Sequence, residues 1–303
     1  MLYQGCTPQS VEIFSWRQEH EAMKKKRDAS PNPTFGDIHD GQGNSYDALA
    51  GYDSLAGDLF VRGVGDLADI DKDDVRQLSA PDCAFLSALI AAAIQNPAII
   101  RKMVVQNDDG TYTVKFYRRR VPGLPFPVRY TVDGRLPLFA GKKETVFARP
   151  TDIVDGVHEL WVAIAEKAFA LYEGGTYGKT GTSGARAMET ISGCRSREYI
   201  SRMLAPDDFA KIGRQFSRRY GMTADALQMG EAAGNPFYDS KKLHGSHVYS
   251  IIALDMQRNG LDGTITVRNP WGFQKFPDVV LSLAEFRSCF NKIAVNPMIQ
   301  LPL

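Results

Sequence analysis

The chain has 303 residues, with 36 basic against 35 acidic side chains and 44% hydrophobic content. That length and apolar share describe a globular chain long enough for two cores. The balanced charge removes any general attraction to nucleic acid or to an anionic membrane surface, so neither is expected as a partner.

The amino-terminal "MLYQGCTPQSVEIF" lacks the basic-then-apolar order of a secretory signal, and no run approaches the ~18 apolar residues of a membrane span. The expectation is a cytoplasmic protein, or one exported without a recognisable signal. "SVEIFSWRQEHEAMKKKRDA" reads as an amphipathic helix, and the proline, glycine and asparagine content of "SPNPTFGDIHDGQGNSYDALAGYDS" reads as loop. Together they make residues 1–45 an amino-terminal extension. "DCAFLSALIAAAI" predicts a helix ending before Pro97, with Ser79 and Asp82 at a capping-box spacing and Pro81 in the first turn. "TYTVKFYRRR" and "VRYTVDGRLPLF" alternate as two strands around a proline-rich connection. A second helix is expected over "DIVDGVHELWVAIAEKAFALYEGG", followed by a glycine-rich passage through Gly193 where the composition changes. Beyond it, "REYISRML" and "PDDFAKIGRQFSRR" read as helices, "HVYSIIALD" and "GTITVRN" as strands, "SLAEFRSCF" as a last helix, and "IAVNPMIQLP" as a last strand. The change of composition divides the folded part into a helix-bearing lobe, 46–195, and a strand-rich lobe, 196–303.

The four cysteines, Cys6, Cys83, Cys194 and Cys289, are scattered without a C-x-x-C pair, which suggests neither a disulfide framework nor a zinc site. A lone cysteine in an apolar helix is usually a small buried hydrophobe. Cys83, however, stands in the first turn of its helix, where unsatisfied N–H groups and the helix dipole favour a thiolate. Of the five histidines, His20, His39 and His158 read as helix-surface or loop residues, whereas His244 and His247 adjoin a strand pair. If those strands form a hairpin through "MQRNGLDG", facing positions sum to about 516 to 520. Asn269 then falls opposite His247, where its side-chain oxygen can orient the imidazole. The alternative is a structural strand histidine and a turn asparagine ahead of Pro270.

These residues resemble the protease core of the calpain family, cysteine endopeptidases with a papain-like fold. Gln77 stands six residues before Cys83 of the Asp82-Cys83 pair, as a glutamine does in that family. "ELWVAIAEKAFALYEGGTYG" is similar to the family's Leu-Trp and Glu-Lys-Ala helix, and "GSHVYSI" followed by "VRNPWG" to its histidine and Asn-Pro-Trp-Gly motifs. "SLAEFRSCFNKIAV" resembles its last core helix and strand. The resemblance spans about Asp74 to Val295, and several motifs in order are far more specific than one. It implies an α+β, papain-like two-lobe fold, the helical lobe carrying the cysteine and the β-rich lobe carrying the histidine and asparagine. Carried over residue by residue, it makes Cys83 the nucleophile, His247 the general base and acid, Asn269 the orienting residue and Gln77 an oxyanion-hole donor beside the backbone N–H of Cys83. The same resemblance implies that Trp271 shields the histidine–asparagine bond from water.

The chain departs from the family pattern at Pro81 and Ala84, where glycine and tryptophan flank the Asp-Cys pair, and at Ser246, where a glycine precedes the histidine. None of these removes a catalytic group. Calcium activates many family members. Asp66, Asp69, Asp71, Asp73 and Asp74 crowd into "DLADIDKDDVRQ", and Asp74 matches a calcium ligand of the family. Gly178 stands where the family offers a glutamate, and "FQKFPDVV" carries only Asp278 where the family has a longer acidic loop. A hard dication needs several converging carboxylates. Asp74 is therefore the one candidate metal ligand, calcium is disfavoured and no cofactor is expected. The expected function is a calpain-like cysteine endopeptidase, a monomer that cuts protein or peptide substrates through a thioester acyl-enzyme. Its alternatives are a papain-fold deamidase or acyltransferase effector, and a non-catalytic protein-binding module.

Overall fold

The structure, a computed structural model, describes residues 32–40, 42–62, 68–119, 123–150, 153–154 and 156–299. The amphipathic helix expected near the amino terminus, with Cys6 and His20, lies outside them, as does Asp66. Phe35 and Ile38, from the segment assigned to the extension, are buried against Tyr46, Val146, Phe147 and Tyr177. A short helix α1 (Tyr46–Leu49) leads into β1 (Ala50–Ser54) and β2 (Gly57–Asp58).

The cysteine-bearing helix α2 (Cys83–Gln95) forms as the apolar run implies. A helix that is apolar on every side must be enclosed, and all but Cys83 and Ile94 of its residues are buried. The expected capping by Ser79 does not occur. Ser79 Oγ pairs instead with the Tyr46 hydroxyl at 2.7 Å, and Asp82 holds the N-cap position without a side-chain cap bond because its carboxylate turns inward toward Gln77. Pro97 ends α2 and, at the first position where its missing N–H costs nothing, opens a further helix, α3 (Pro97–Met103).

Strands β3 (Val104–Gln106), β4 (Tyr112–Arg119) and β5 (Pro125–Val132) form an antiparallel sheet in that order. β5 lies at its edge, the position in which Pro125 and Pro127 are tolerated. The second expected strand breaks at Asp133-Gly134, and its remainder, β6 (Arg135–Phe139), pairs with β1 instead. The helix expected from residue 152 is shorter. Its first part forms β7 (Ile153–Val154) and β8 (Val157–Glu159), and only α4 (Trp161–Tyr172) is helical. His158 therefore sits on a strand rather than in a helical first turn. The cause is tertiary: β8 runs parallel to β2, and a Cβ at Gly57 would lie 2.4 Å from the His158 carbonyl oxygen, so only glycine allows the approach.

The glycine-rich passage also contains a helix, α5 (Gly184–Ser192), capped by Ser183 and ended by Gly193 at φ +77°. "REYISRML" is corrected too: it forms β9 (Arg197–Ile200) and a 3-10 turn over Ser201–Met203, because β14 (Phe290–Asn296) offers β9 an edge to pair with. Helix α6 (Pro206–Ser217) forms as expected. It is followed by β10 (Gly221–Ala226), short helices α7 (Met229–Ala232) and α8 (Pro236–Lys241), β11 (Val248–Met256), β12 (Gly263–Arg268), β13 (Val279–Ser282) and α9 (Leu283–Cys289). Six strands make one antiparallel sheet in the order β13-β12-β11-β10-β14-β9.

Helices and strands are present in similar amounts, so the fold is mixed α+β. One buried cluster gathers α2 to α5 with β3 to β6, and within it Phe85 stacks on Phe169 at 4.0 Å while Phe116 meets both rings edge-on. Each such ring contributes about 1.5–3 kcal/mol on burial. A second cluster, with Phe209, Met222, Tyr249, Phe286 and Phe290, lies around the six-stranded sheet. Helix α2 packs directly on β10 and β11, and this contact builds the site.

Candidate active site

The hairpin of β11 and β12 has the register the sequence implied. Ser250 faces Arg268 and Leu254 faces Ile265, pairs whose numbers sum to 518 and 519, with a bulge between Ile251 and Ala253. Just beyond the last pair, His247 Nε2 meets Asn269 Oδ1 at 2.9 Å. An amide oxygen only accepts, so Nε2 carries the proton and Nδ1 is left with its lone pair. Asn269 Oδ1 also accepts the Trp271 N–H at 3.0 Å, which fixes the asparagine to its own turn. The Trp271 ring lies 4.5 Å from the His247 ring and also packs on His244 at 4.5 Å and Phe276 at 5.1 Å. His244 serves as an aromatic neighbour between Trp271 and Phe276 and makes no bond to Asn269.

The way the ladder ends brings Cys83 to this pair. Ala226 N–H donates to the His247 carbonyl, so alternation along an antiparallel pair turns the N–H and C=O of Val248 away from β10. On the other side, the register carried outward from Ser250 and Arg268 sets Val248 opposite Pro270, which has no N–H. Val248 is therefore free to bond helix α2. Its C=O accepts Ser87 Oγ–H at 2.8 Å, one helical turn beyond the cysteine, and its N–H reaches the sulfur of Cys83. The Pro270 carbonyl, equally unpaired in the sheet, accepts the Gln77 N–H at 2.7 Å. The strand end bearing His247 and Asn269 is thus bonded to both the helix of Cys83 and the loop of Gln77.

Electrostatics correct one expectation. Burial pushes the Cys83 thiol up to about 11, although the N–H groups of Val248 and Ala84 pull the other way. The helix terminus alone does not produce a thiolate here, because desolvation and the nearby Asp82 and Asp225 charges oppose it. Burial likewise pushes His247 down to about 4, against the raising effect of Asn269. At neutral pH the two groups rest as thiol and neutral imidazole.

Gln77 is buried, and its Nε2 donates to the Ala80 carbonyl at 2.7 Å and to Asp82 Oδ1 at 3.2 Å. Asp82 is fully buried and faces Glu166 of α4, whose carboxyl receives the Ala148 N–H on both oxygens, at 3.0 and 2.9 Å. Burial and the neighbouring Asp82 charge push the Glu166 carboxyl well above the usual range, so Glu166 is the protonated member of the pair. Its neighbour Lys167, also buried, donates to Asp133 Oδ1 at 2.6 Å and to the Arg135 carbonyl at 2.7 Å. The Glu-Lys pair of α4 therefore anchors two loops. Ser87 and Glu166 were not singled out from sequence, and Asp82 was read there as a capping residue and as the neighbour of Cys83. The available signal was a polar side chain inside an otherwise unbroken apolar helical run.

Asp74, the candidate metal ligand, is 3% exposed and already occupied: its Oδ2 accepts the Asp71 N–H at 2.6 Å and Trp161 Nε1–H at 3.2 Å. Among the described residues no three His, Cys, Asp or Glu side chains gather as ion ligands. Ser246 has φ +52°, a left-handed conformation that accounts for the family's glycine there. In its place the Ser246 hydroxyl accepts the Met229 N–H and donates to Gln228 Oε1, both at 3.1 Å.

The site thus holds a cysteine at a helix terminus and, at the end of the strand packed on that helix, a histidine oriented by an asparagine. The family model described as calpain family cysteine protease matches residues 64–278, and the chain belongs to that family. It is 30% identical to mouse "Calpain-9" over 207 residues, covering 66% of this chain and 28% of that protein. It is 29% identical to "Calpain" of Schistosoma mansoni, covering 66% of this chain and 26% of that one. With "Calpain-type cysteine protease DEK1" of Arabidopsis thaliana it shares 27% identity over 67% of this chain and 9% of the other. The matched region thus spans less than a third of these relatives.

Proposed function

We propose that the protein is a calpain-type cysteine endopeptidase acting on proteins or peptides, with a papain-like two-lobe arrangement and its site where α2 meets the end of β11. His247 Nδ1 takes the Cys83 thiol proton as sulfur attacks the scissile carbonyl. The oxyanion forms near the backbone N–H of Cys83, which has no intrahelical partner at the first helical position. Gln77 serves as the second donor by turning one Nε2 hydrogen from Ala80 or Asp82 toward that oxygen. The imidazolium then protonates the leaving amine, and water hydrolyses the thioester.

The observation that carries this reading is His247 Nε2 on Asn269 Oδ1 at 2.9 Å, at the strand end that Ser87, one helical turn from Cys83, ties to α2. The four groups Cys83, His247, Asn269 and Gln77 together argue against a binding module, and the relatives' names favour peptide cleavage over deamidation. No calcium is required in this reading, because Asp74 is committed to Trp161 and Asp71.

Incubating wild type and Cys83→Ala with an unstructured protein, followed by peptide mapping, tests it. Wild type is expected to yield new termini and Cys83→Ala none. Equal cleavage by the two would sink the reading, and converted glutamines without new termini would establish deamidation instead.

A further inference from the structure

Arg268, immediately before Asn269, is a buried guanidinium with two carboxylate partners from opposite ends of the sequence. Its side chain is 5% exposed. Nε and Nη2 donate to Asp278 Oδ1 and Oδ2, each at 2.8 Å, a bidentate pair. Nη1 donates to Asp73 Oδ1, 195 positions away in sequence. The Phe273 ring covers the group at 5.3 Å, and Asp73 takes Lys72 Nζ on its other oxygen at 2.8 Å.

These partners are the acids that would otherwise be available to a cation. Asp73 belongs to the acidic loop ahead of Gln77, and Asp278 is the single carboxylate of the short loop after Gly272. A calcium ion needs six to eight oxygens, several of them charged. Here the bidentate pair occupies both oxygens of Asp278, and Arg268 with Lys72 occupies those of Asp73. The residues present do not fit the ion that activates many relatives, and the reason is a protein-borne cation between the two loops.

We propose that Arg268 is a positioning residue that clamps the acidic loop onto the strand end of Asn269, serving as a built-in cation where an activating metal would otherwise be needed. The clamp has a partner four residues on: the Gln77 N–H on the Pro270 carbonyl at 2.7 Å. Residues 73–77 are therefore fixed at both ends to residues 268–270. One tie sets the oxyanion glutamine, and the other sets the base of the turn that orients His247. Arg149 N–H on the Arg76 carbonyl at 2.9 Å holds the same segment from its other side.

This inference rests on the peptidase reading for its consequence in catalysis, so the experiment carries one readout that needs no catalysis. Wild type, Arg268→Gln, Asp73→Asn and the double variant are compared by urea unfolding and by steady-state cleavage of a peptide, each in excess chelator and in added calcium. Expected is a double-mutant cycle with roughly tenfold coupling in the unfolding constant. Each single variant is expected to lower kcat by at least about tenfold with KM within about twofold, and the double variant to be little worse than either. Wild-type rate should be the same with chelator or calcium, and calorimetric titration of wild type with calcium should show no binding. Asp73 is partly exposed, so Asp73→Asn keeps the test open if Arg268→Gln fails to fold. An additive cycle, an unchanged kcat in Asp73→Asn, or calcium binding by wild type would each overturn the clamp. Absence of cleavage by wild type alongside intact coupling in unfolding would instead refute the peptidase reading.

Discussion

Removing the Ser87 hydroxyl tests whether the bond between α2 and β11 holds the site together. In Ser87→Ala the Val248 carbonyl loses the donor at 2.8 Å. No sheet partner can replace it, because the neighbouring register position is Pro270 and alternation turns the group away from β10. Both residues are buried, Ser87 fully, so water does not restore the bond without opening the packing. Leaving one buried carbonyl unpaired costs about 1–3 kcal/mol. At the midpoint that corresponds to a fall in Tm of roughly 3 °C for a chain of this size, taking about 2 kcal/mol. Because the tie lies one turn from Cys83 and one residue from His247, kcat should fall by about tenfold or more while KM changes little. Urea unfolding and steady-state kinetics of the purified variant check both effects. A stability within about 0.5 kcal/mol of wild type, the range of ordinary surface substitutions, would refute the reasoning. So would a full stability loss with unaltered kcat.

Acidification should reveal the desolvated base: with His247 held near 4, well below the ordinary 6.5, the acid limb of kcat/KM is expected near pH 4, because protonated imidazole cannot accept the thiol proton. A limb at pH 6 to 7 in a pH–rate profile would mean the imidazole is solvated. Cleavage should persist in excess chelator. A rate that rises from near zero with free calcium, and is lost on Asp74→Ala, would show that Asp74 exchanges Trp161 and Asp71 for a metal.

The motif order that marks the family was legible because each motif has a local physical signature: an apolar helix opened by Asp82-Cys83, and two alternating strands around a short loop whose register follows from counting. Legibility failed where pairing partners are distant. Residues 157–159 lie in a run of helical spacing, yet β2 and the absent Cβ of Gly57 draw them into a strand. Residues 197–200 carry tyrosine and isoleucine in a helix-like setting, and the free edge of β14 decides otherwise. β10 went unseen because it is buried almost throughout and so lacks alternation, while Thr223 and Asp225 disguise it as polar. The thiol was misjudged for a related reason: a helix terminus is visible in sequence, whereas the burial that raises the thiol to about 11 is not.

The Asn269-Pro270-Trp271-Gly272 run then reads as four separate geometric tasks. Asn269 accepts from His247 Nε2 and, through the same oxygen, from the Trp271 N–H, so orienting the imidazole and closing the turn are one act. Pro270 has no N–H for the ladder, which frees Val248 for α2 and leaves its own carbonyl for Gln77. Trp271 packs its ring 4.5 Å from the His247 ring, an apolar surface beside the imidazole that Asn269 holds. Gly272, at φ +100° and with its N–H on the Asn269 carbonyl at 3.2 Å, reverses the chain beside Arg76, where a side chain would be strained. A change at Pro270 would act differently from one at Asn269. Any residue with an N–H there could extend the ladder toward Val248 and compete with Ser87 and Cys83 for its groups. The proline therefore bears on the geometry of the candidate site by ending the ladder.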